Sequence, residues 1–213
     1  MSAARGAAIR QIRGRAVPLP GDDIDTDRIT PARFLKAITF TGIEKALFCD
    51  ERENSPDHPI DNPAHRGARL MFVGRNFGSG SSRESAPQAI QRFGVQALVG
   101  VSFAEIFAGN SFAIGLPLAA TSAENVARLI AQAQKHPRTE FVLDLDELTI
   151  SFGGESLPVE MQENRRKSFL AGTWDMLANL EANLPRVREV AAGLPYTSGF
   201  SSQRPGGPGG GSR

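Results

Sequence analysis

Short apolar runs alternate with amphipathic segments through the middle of the chain. The runs at residues 69–74 (RLMFVG) and 95–100 (VQALVG) are almost continuously apolar, which is typical of strands buried on both faces. A helical pattern follows each of them, and a third run, LPLAA at residues 116–120, continues the alternation. This order predicts an α/β domain with a mostly parallel sheet.

Local signals mark the ends of the predicted helices. A helix is predicted from residue 86 to about residue 93, with Pro87 in its first turn and Gly94 at its C-terminal cap. Thr121 and Glu124 match the capping-box pattern, and the residues after them have apolar positions at helical spacing. The sequence therefore predicts a second helix that begins at Thr121.

The last third of the chain is first β-rich and then helical. Apolar residues alternate through residues 140–160, and Gly153-Gly154 predicts a hairpin turn. Two helical segments follow, and we assign residues 1–198 to one domain. The remaining residues, 199–213, are rich in Gly, Pro and Ser and are predicted to be disordered. A polar, breaker-rich stretch between residues 50 and 68 predicts a long surface loop.

Composition excludes several classes of protein. Charged residues make up 22% of the chain and the net charge is +1, so the sequence gives no electrostatic case for nucleic-acid binding. No apolar run approaches the roughly 20 residues that a membrane span needs. The N-terminus carries arginines without acidic residues, as transit peptides do, but it runs directly into a strand pattern. We expect an ordinary mature start and a cytoplasmic protein.

Cysteine and histidine usage argues against a metal site in this chain. Cys49 is the single cysteine, so neither an intrachain disulfide nor the several thiolates of an iron–sulfur cluster can come from this chain. The three histidines, His58, His65 and His136, lack the spacing of metal ligands. We expect them to be structural or solvated.

The stretch GRNFGSGSSRES at residues 74–85 joins a predicted strand to a predicted helix. Connections at the carboxyl edge of a parallel sheet are where ligands bind in open α/β folds. Glycines allow the backbone angles of an anion cradle, and the start of a helix supplies free N–H groups. Arg83 adds a forked donor suited to a carboxylate or phosphate.

Familiar glycine-rich motifs do not fit this stretch. A P-loop requires a Gly-Lys-Ser/Thr ending, a dinucleotide-binding fingerprint requires Gly where Arg83 stands, and the lipase-type nucleophile elbow does not occur. One alternative stays open, in which Ser81, Ser82 and Ser85 only satisfy backbone groups at a helix start.

Four aspartates, Asp22, Asp23, Asp25 and Asp27, lie within six residues. A calcium loop would carry Gly and Glu where Arg28 and Phe34 stand, so these carboxylates do not form one. Neighbouring carboxylates repel unless cationic groups offset them. We expect an arginine of the Gly–Ser stretch to be one such partner.

Together, these motifs carry a family resemblance. DIDTDRITPARFL, GRNFGSGSSRESAPQAI and FGVQALVGVSFAEIFAGNSFAIGLPL resemble the small subunit of 3-isopropylmalate dehydratase in order and spacing, from about Val17 to Asn183. That subunit is equivalent to the swivelling domain of the aconitase superfamily. The resemblance implies a three-layer β/β/α domain.

The same resemblance implies a hydro-lyase that isomerises 2-isopropylmalate to 3-isopropylmalate for leucine biosynthesis. In that family a separate large subunit holds a [4Fe–4S] cluster, whose free iron polarises the departing hydroxyl. The resemblance therefore implies that this chain acts only with a cluster-bearing partner, and that its ligand is a small hydroxy acid.

Residue roles follow by position in the family motifs. Ser81 is implied to be the catalytic base, and Ser82 and Arg83 to bind a substrate carboxylate. A serine hydroxyl is a weak acid, so its alkoxide needs strong stabilisation by the glycine turn, the helix start and Arg83. The residues implied to shape the site are Asp25, Thr26, Asp27, Gly78 and Gly80.

Three positions depart from the family pattern. Ser79 and Ser85 stand where the family commonly has Cys and His. Phe40 replaces an arginine beside Thr41 in the segment that selects the substrate, residues 36–48, and both are expected to contact substrate. Methylmalate, dimethylmalate and maleate therefore remain alternative substrates.

Two other functions were weighed. The fold could serve as a non-catalytic anion-binding assembly module, although a scaffold has no need of the intact Ser81-Ser82-Arg83 set. A serine hydrolase using Ser81 would require a histidine near a predicted strand end, and none occurs there.

Overall fold

The computed structural model describes residues 7–36 and 40–194 of the 213-residue chain. The tail predicted at residues 199–213 lies outside these ranges, so the domain boundary at residue 198 stays a prediction. No helix within the described ranges has both the length and the apolar character that crossing a membrane demands.

Strands occupy the positions that the apolar runs predict. The described part of the chain contains β1 (Gln11–Gly14), β2 (Ala16–Leu19), β3 (Leu70–Val73), β4 (Ala97–Gly100), β5 (Leu118–Ala120), β6 (Phe141–Asp144), β7 (Thr149–Phe152) and β8 (Glu155–Pro158). The strands β2, β3, β4 and β5 form a parallel sheet in that order, and β1, β6, β7 and β8 form an antiparallel sheet.

Helices connect and cover these sheets. They are α1 (Thr26–Ile29), α2 (Cys49–Asn54), α3 (Ser85–Phe93), α4 (Glu105–Ala113), α5 (Ala123–Lys135), α6 (Glu163–Ala171) and α7 (Met176–Ala192). Short 3₁₀ helices span Ala32–Lys36, Ile43–Ala46 and Pro63–His65. As predicted, α3 ends at Gly94 in the left-handed conformation, and Gly153-Gly154 turns β7 into β8.

The hydrophobic core lies on both faces of the parallel sheet. Val17, Met71 and Leu98 are in the cluster that packs under α1, α3 and α4, and they occupy neighbouring register positions. The alternate positions, including Phe72, belong to a second cluster with α5 and the antiparallel sheet. There Phe72 meets Phe141 edge to face, with ring centroids 4.8 Å apart. The predicted three-layer β/β/α architecture is confirmed.

The capping box predicted at Thr121 and Glu124 is wrong. Ser122 caps α5, and its hydroxyl accepts a hydrogen bond from the N–H of Asn125 at 3.2 Å. The hydroxyl of Thr121 donates instead to the carbonyl of Pro158 at 2.7 Å. Thr121, the first candidate cap, is therefore bonded to β8 and not to the helix. Local sequence does not reveal this partner.

The long loop predicted between residues 50 and 68 is also more ordered than its composition suggests. It contains most of α2 and one 3₁₀ helix, and it buries His58 and His65. The Nδ1 atom of His58 accepts a hydrogen bond from the N–H of Ile60 at 3.2 Å, and burial lowers the pKa of His58. His136 is exposed at the end of α5.

Candidate functional site

The Gly–Ser turn, residues 74–84, connects β3 to α3 at the carboxyl edge of the parallel sheet, as predicted. Its first residue, Gly74, touches the aspartate-rich loop, residues 21–27. A Cβ atom on Gly74 would lie 2.2 Å from the carbonyl oxygen of Gly21, so any larger residue would push these two loops apart. Glycine at this position therefore allows the close approach of the loops.

Backbone hydrogen bonds join the two loops along their length. The N–H of Gly78 donates to the carbonyl of Ile24 at 2.7 Å, and the N–H of Thr26 donates to the carbonyl of Ser79 at 2.8 Å. The hydroxyl of Thr26 donates to the carbonyl of Ser81 at 2.9 Å. Thr26 is buried, so these bonds are shielded from water and fix the backbone on both sides of Gly80. This is a physical basis for a site-shaping role of Thr26.

Each carboxylate of the aspartate-rich loop has its own partner. Asp22 accepts from the N–H of Arg75 at 2.7 Å, and Asp23 accepts from the side-chain amide of Asn76 at 2.8 Å. Asp25 caps α1 by accepting from the N–H of Arg28 at 2.8 Å. Three of the four carboxylates thus accept hydrogen bonds from backbone or amide N–H groups, which are uncharged.

Asp27 is the aspartate that pairs with an arginine of the turn, as expected. Arg83 donates from both terminal nitrogens to the two carboxylate oxygens of Asp27, and the Nη2–Oδ2 distance is 2.7 Å. The Arg83 side chain is only 10% exposed, while that of Asp27 is 52% exposed. Nη1 of Arg83 also donates to the carbonyl of Thr30 at 3.4 Å, and Nε is buried without a partner among the described residues.

The hydroxyls of Ser81 and Ser82 are exposed, and neither makes a hydrogen bond within the described part of the chain. The N-terminal cap of α3 is Glu84, which makes no side-chain capping bond. Ser85 is buried and its hydroxyl lacks a described partner. Within the described residues, the serine hydroxyls therefore make no capping bond to α3.

Gly78 and Gly80 give the turn its shape. Their φ angles are +80° and +88°, in the left-handed region that favours glycine. A Cβ atom on Gly78 would lie 2.2 Å from the ring atom Cγ of Phe107 in α4. Phe107 also packs edge to face on Phe77, with ring centroids 5.3 Å apart, so α4 packs against the turn and supports it. Nothing in the local sequence of the turn indicated this helix as its support.

Phe40 and Thr41 do not lie in the hydrogen-bonded pair of loops. Phe40 is half-buried and packs against the first hydrophobic cluster, whereas Thr41 is exposed. The 3₁₀ helix that follows, Ile43–Ala46, packs against α3. Residues 37–39 lie outside the described ranges, so the predicted selecting segment is described only from residue 40 onward.

The described residues contain no group of three His, Cys, Asp or Glu side chains that could hold a metal ion. Cys49 lies on α2, where burial and then a hydrogen bond with Asp50 raise the pKa of its thiol. With one cysteine in the sequence and no such ligand group among the described residues, these residues do not fit an iron–sulfur cluster.

The fold and the turn define the class of the protein, an aconitase-type C-terminal domain, and the aconitase C-terminal domain family matches residues 7–123. The chain belongs to the family of 3-isopropylmalate dehydratase small subunits. The resemblance seen in the sequence is thereby confirmed.

Similar proteins cover almost the whole domain. The 3-isopropylmalate dehydratase small subunit of Thermus thermophilus is 47% identical over 87% of this chain and 94% of the relative. That of Synechocystis is 42% identical over 88% and 94%. A crystal structure of 3-isopropylmalate dehydratase from Methanocaldococcus jannaschii superposes with a TM-score of 0.65 at 25% identity, covering 84% of this chain and 99% of the other.

Proposed function

We propose that this chain is the small subunit of a hydro-lyase that interconverts 2-isopropylmalate and 3-isopropylmalate, a step of leucine biosynthesis, and that it acts with a large subunit. The names of its relatives support this proposal. The observation that carries it is the exposed Ser81, whose hydroxyl makes no hydrogen bond within the described residues, two residues before the almost buried Arg83 side chain in a turn bonded to the aspartate-rich loop.

Ser81 is proposed to be the base. Its alkoxide removes the proton from the carbon next to the hydroxyl-bearing carbon, the electron pair of that C–H bond forms the double bond, and hydroxide departs. Addition of water in the opposite sense gives the isomer, and Ser81 returns the proton. The alkoxide forms because Arg83 and the uncapped start of α3 supply positive charge beside it.

Arg83 and Ser82 are proposed to hold a substrate carboxylate. Asp27 already occupies both terminal nitrogens of Arg83, but a guanidinium has five N–H donors and this one keeps an Nη2 hydrogen free of the bonds described. A substrate carboxylate therefore shares the guanidinium with Asp27. In this proposal Asp27 sets the orientation of Arg83, and Asp25, Thr26, Gly78 and Gly80 hold the turn that carries Ser81.

The cluster and the rest of the active site are proposed to lie on the large subunit. Ser81 and Ser82 point to the surface, so a second chain has to cover them before water is excluded from the reaction. The single cysteine of this chain agrees with a [4Fe–4S] cluster held by that partner. We place the complex in the reducing cytoplasm.

Phe40 bears on the choice of substrate. An apolar, half-buried ring in the selecting segment offers no charge to a substrate, so methylmalate, dimethylmalate and maleate stay in the proposal as alternatives to isopropylmalate. Thr41, exposed beside it, is proposed to contact the substrate directly.

The test is anaerobic reconstitution of this chain with a cluster-bearing large subunit, followed by assay on 2-isopropylmalate and the three alternatives. We expect turnover of one or more of them, and a fall of roughly 10²–10⁴-fold in kcat for Ser81→Ala. Ser156→Ala, an exposed serine on β8, is the matched control and should keep full activity. Unchanged turnover in Ser81→Ala removes Ser81 as the base, and a pair that turns over no substrate favours the non-catalytic assembly module.

A further inference from the structure

A cleft lies beside α4, and none of its lining residues belongs to the Gly–Ser turn. It has a volume of about 190 Å³ and is bounded by α4, the end of β5 and the start of α6. This volume is below the roughly 300–1,000 Å³ of pockets that take drug-sized ligands, which suits a metabolite of a few carbons. None of the residues proposed to bind or transform isopropylmalate lines it.

The floor of the cleft is apolar. Phe112 and Phe169 pack edge to face there, with ring centroids 5.3 Å apart, and Leu116 lies beside them. Phe169 and Leu116 are each 1% exposed, so the floor is fixed within the core. Such a floor accepts a small aliphatic group and offers it no hydrogen bond.

The mouth of the cleft carries a guanidinium with unused donors. Nη2 of Arg165 donates to Oε1 of Glu105 at 2.8 Å, and this is the one side-chain hydrogen bond of Arg165 within the described residues. Its side chain is only 20% exposed, and its Nε and Nη1 atoms make no hydrogen bond within the described residues. The neighbouring Arg166, by contrast, donates to the carbonyls of Leu145 and Asp146.

Two carboxylates share the mouth with Arg165. Glu105 is 75% exposed. Glu160 has an exposed side chain without an ion pair in the described structure, and its backbone is fixed to Ala120 by hydrogen bonds of 2.7 and 2.8 Å. One guanidinium and two carboxylates lining the same cleft, with an apolar floor, match a ligand that has a carboxylate, an ammonium group and an aliphatic side chain.

We propose that this cleft binds a small aliphatic α-amino acid. The ligand carboxylate bonds to the free donors of Arg165, the ammonium group lies between Glu105 and Glu160, and the side chain rests on Phe112, Leu116 and Phe169. Each ligand group thus meets a group of matching polarity in a cleft of the right size.

The cleft is joined to the Ser81 turn by short contacts. Ser102, in its wall, accepts hydrogen bonds from Asn76 and Phe77: its hydroxyl from the N–H of Asn76 at 2.9 Å, and its carbonyl from the N–H of Phe77 at 3.1 Å. Phe107, two residues along α4 from Glu105, supports Gly78. On the proposed function, we expect these contacts to carry an effect of the occupied cleft to the turn and to the turnover rate.

Calorimetric titration of the full-length chain tests the binding without requiring any activity. L-leucine should bind, whereas 4-methylpentanoate, which lacks the ammonium group, and 3-methylbutylamine, which lacks the carboxylate, should each bind roughly tenfold or more weakly. Equal binding of all three compounds, or no binding of L-leucine at millimolar concentration, overturns the proposal.

Substitutions of residues that line the cleft test whether L-leucine binds there. Arg165→Gln should weaken L-leucine binding roughly tenfold or more, and Glu160→Gln should weaken it without changing the affinity for 4-methylpentanoate. Arg128→Gln is the matched control, because Arg128 makes the same kind of single guanidinium–carboxylate contact with Glu155 outside the cleft. Circular dichroism of each variant verifies the fold, and Arg165→Lys, which keeps the charge, should lose less affinity than Arg165→Gln. Equal loss in Arg128→Gln and Arg165→Gln contradicts the assignment.

Turnover of the reconstituted pair with and without L-leucine then separates the two proposals. Binding with unchanged turnover disproves the coupling to Ser81 but keeps the site. Turnover that is absent altogether counts against the proposed function alone, since binding is measured on the isolated chain.

Discussion

Arg83 and Asp27 lie 56 residues apart in the chain and face each other with both terminal nitrogens bonded to both carboxylate oxygens. The guanidinium is almost buried, and the carboxylate is half exposed. This pair is the electrostatic link between the two loops of the site. It keeps the one arginine beside Ser81 in a fixed orientation before any substrate arrives.

A double-mutant cycle measures this link. Asp27→Asn combined with Arg83→Gln should give a coupling energy of about 1 kcal/mol in urea unfolding, because partial exposure of Asp27 limits the gain. The matched control is the pair of Arg10 with Asp146, which is 62% and 39% exposed and should give a coupling near zero. Equal coupling in the two cycles would contradict the structural role of the Arg83–Asp27 pair.

Gly78 should be the least replaceable residue of the turn. Gly78→Ala combines positive φ with a contact of 2.2 Å to the Phe107 ring, so we expect a loss of about 2–4 kcal/mol in the free energy of unfolding. Gly42→Ala separates these effects, because Gly42 has nearly the same φ, +81°, and open space around it. Its loss should be about 1 kcal/mol. Thermal or urea unfolding of both variants checks the difference, and similar losses would rule out the steric contribution of Phe107.

His58 should make the fold less stable in mild acid. Burial lowers the pKa of His58 below its ordinary value of 6.5, and the nearby carboxylates of Glu51 and Asp61 oppose this only in part. Below that value the unfolded chain binds more protons than the folded chain. The stabilising contribution of the neutral ring is therefore complete above pH 6.5 and is lost as the pH falls toward the lowered pKa.

Unfolding free energies measured between about pH 7.5 and pH 5.5 test this expectation. His58→Asn keeps an acceptor for the N–H of Ile60 but does not titrate, so the dependence on pH should become shallower. His136→Asn, at an exposed position, should leave it unchanged. An identical pH dependence in His58→Asn and the natural sequence would show that His58 is not the responsible group.

Phe40 should influence which acid is preferred. Phe40→Arg introduces a cation into the selecting segment, so the relative kcat/KM values across isopropylmalate, methylmalate, dimethylmalate and maleate should change. Phe40→Leu keeps the position apolar and serves as the control, since both variants lose the ring that packs on the first cluster. Relative rates that stay the same in Phe40→Arg would remove Phe40 from substrate selection.

Much of this fold could be predicted from local patterns in the sequence. The apolar runs located β3 and β4 because a strand buried on both faces has no polar positions. Gly94 marked the end of α3 because few other residues adopt its backbone conformation. The arginine partner expected for the aspartate-rich loop was found, since charge balance required one.

The remainder depended on contacts between distant segments. Thr121 was predicted to cap a helix, but its hydroxyl donates to the carbonyl of Pro158. The segment after residue 50 was predicted to be a surface loop, but it buries two histidines. The support of Gly78 by Phe107 and the cleft beside α4 are likewise products of tertiary packing. No pattern within one segment carries that information.

The hydrogen bonds between the aspartate-rich loop and the Gly–Ser turn also govern when the site can form during folding. Partners such as Asp22 and Arg75 are separated by 53 residues, and each of them follows one of the two paired strands, β2 and β3. Closing a loop of this length precedes any of these bonds, so neither segment can build the site in a nascent chain by itself. We therefore expect the two-loop site to form only after the first two strands of the parallel sheet have paired.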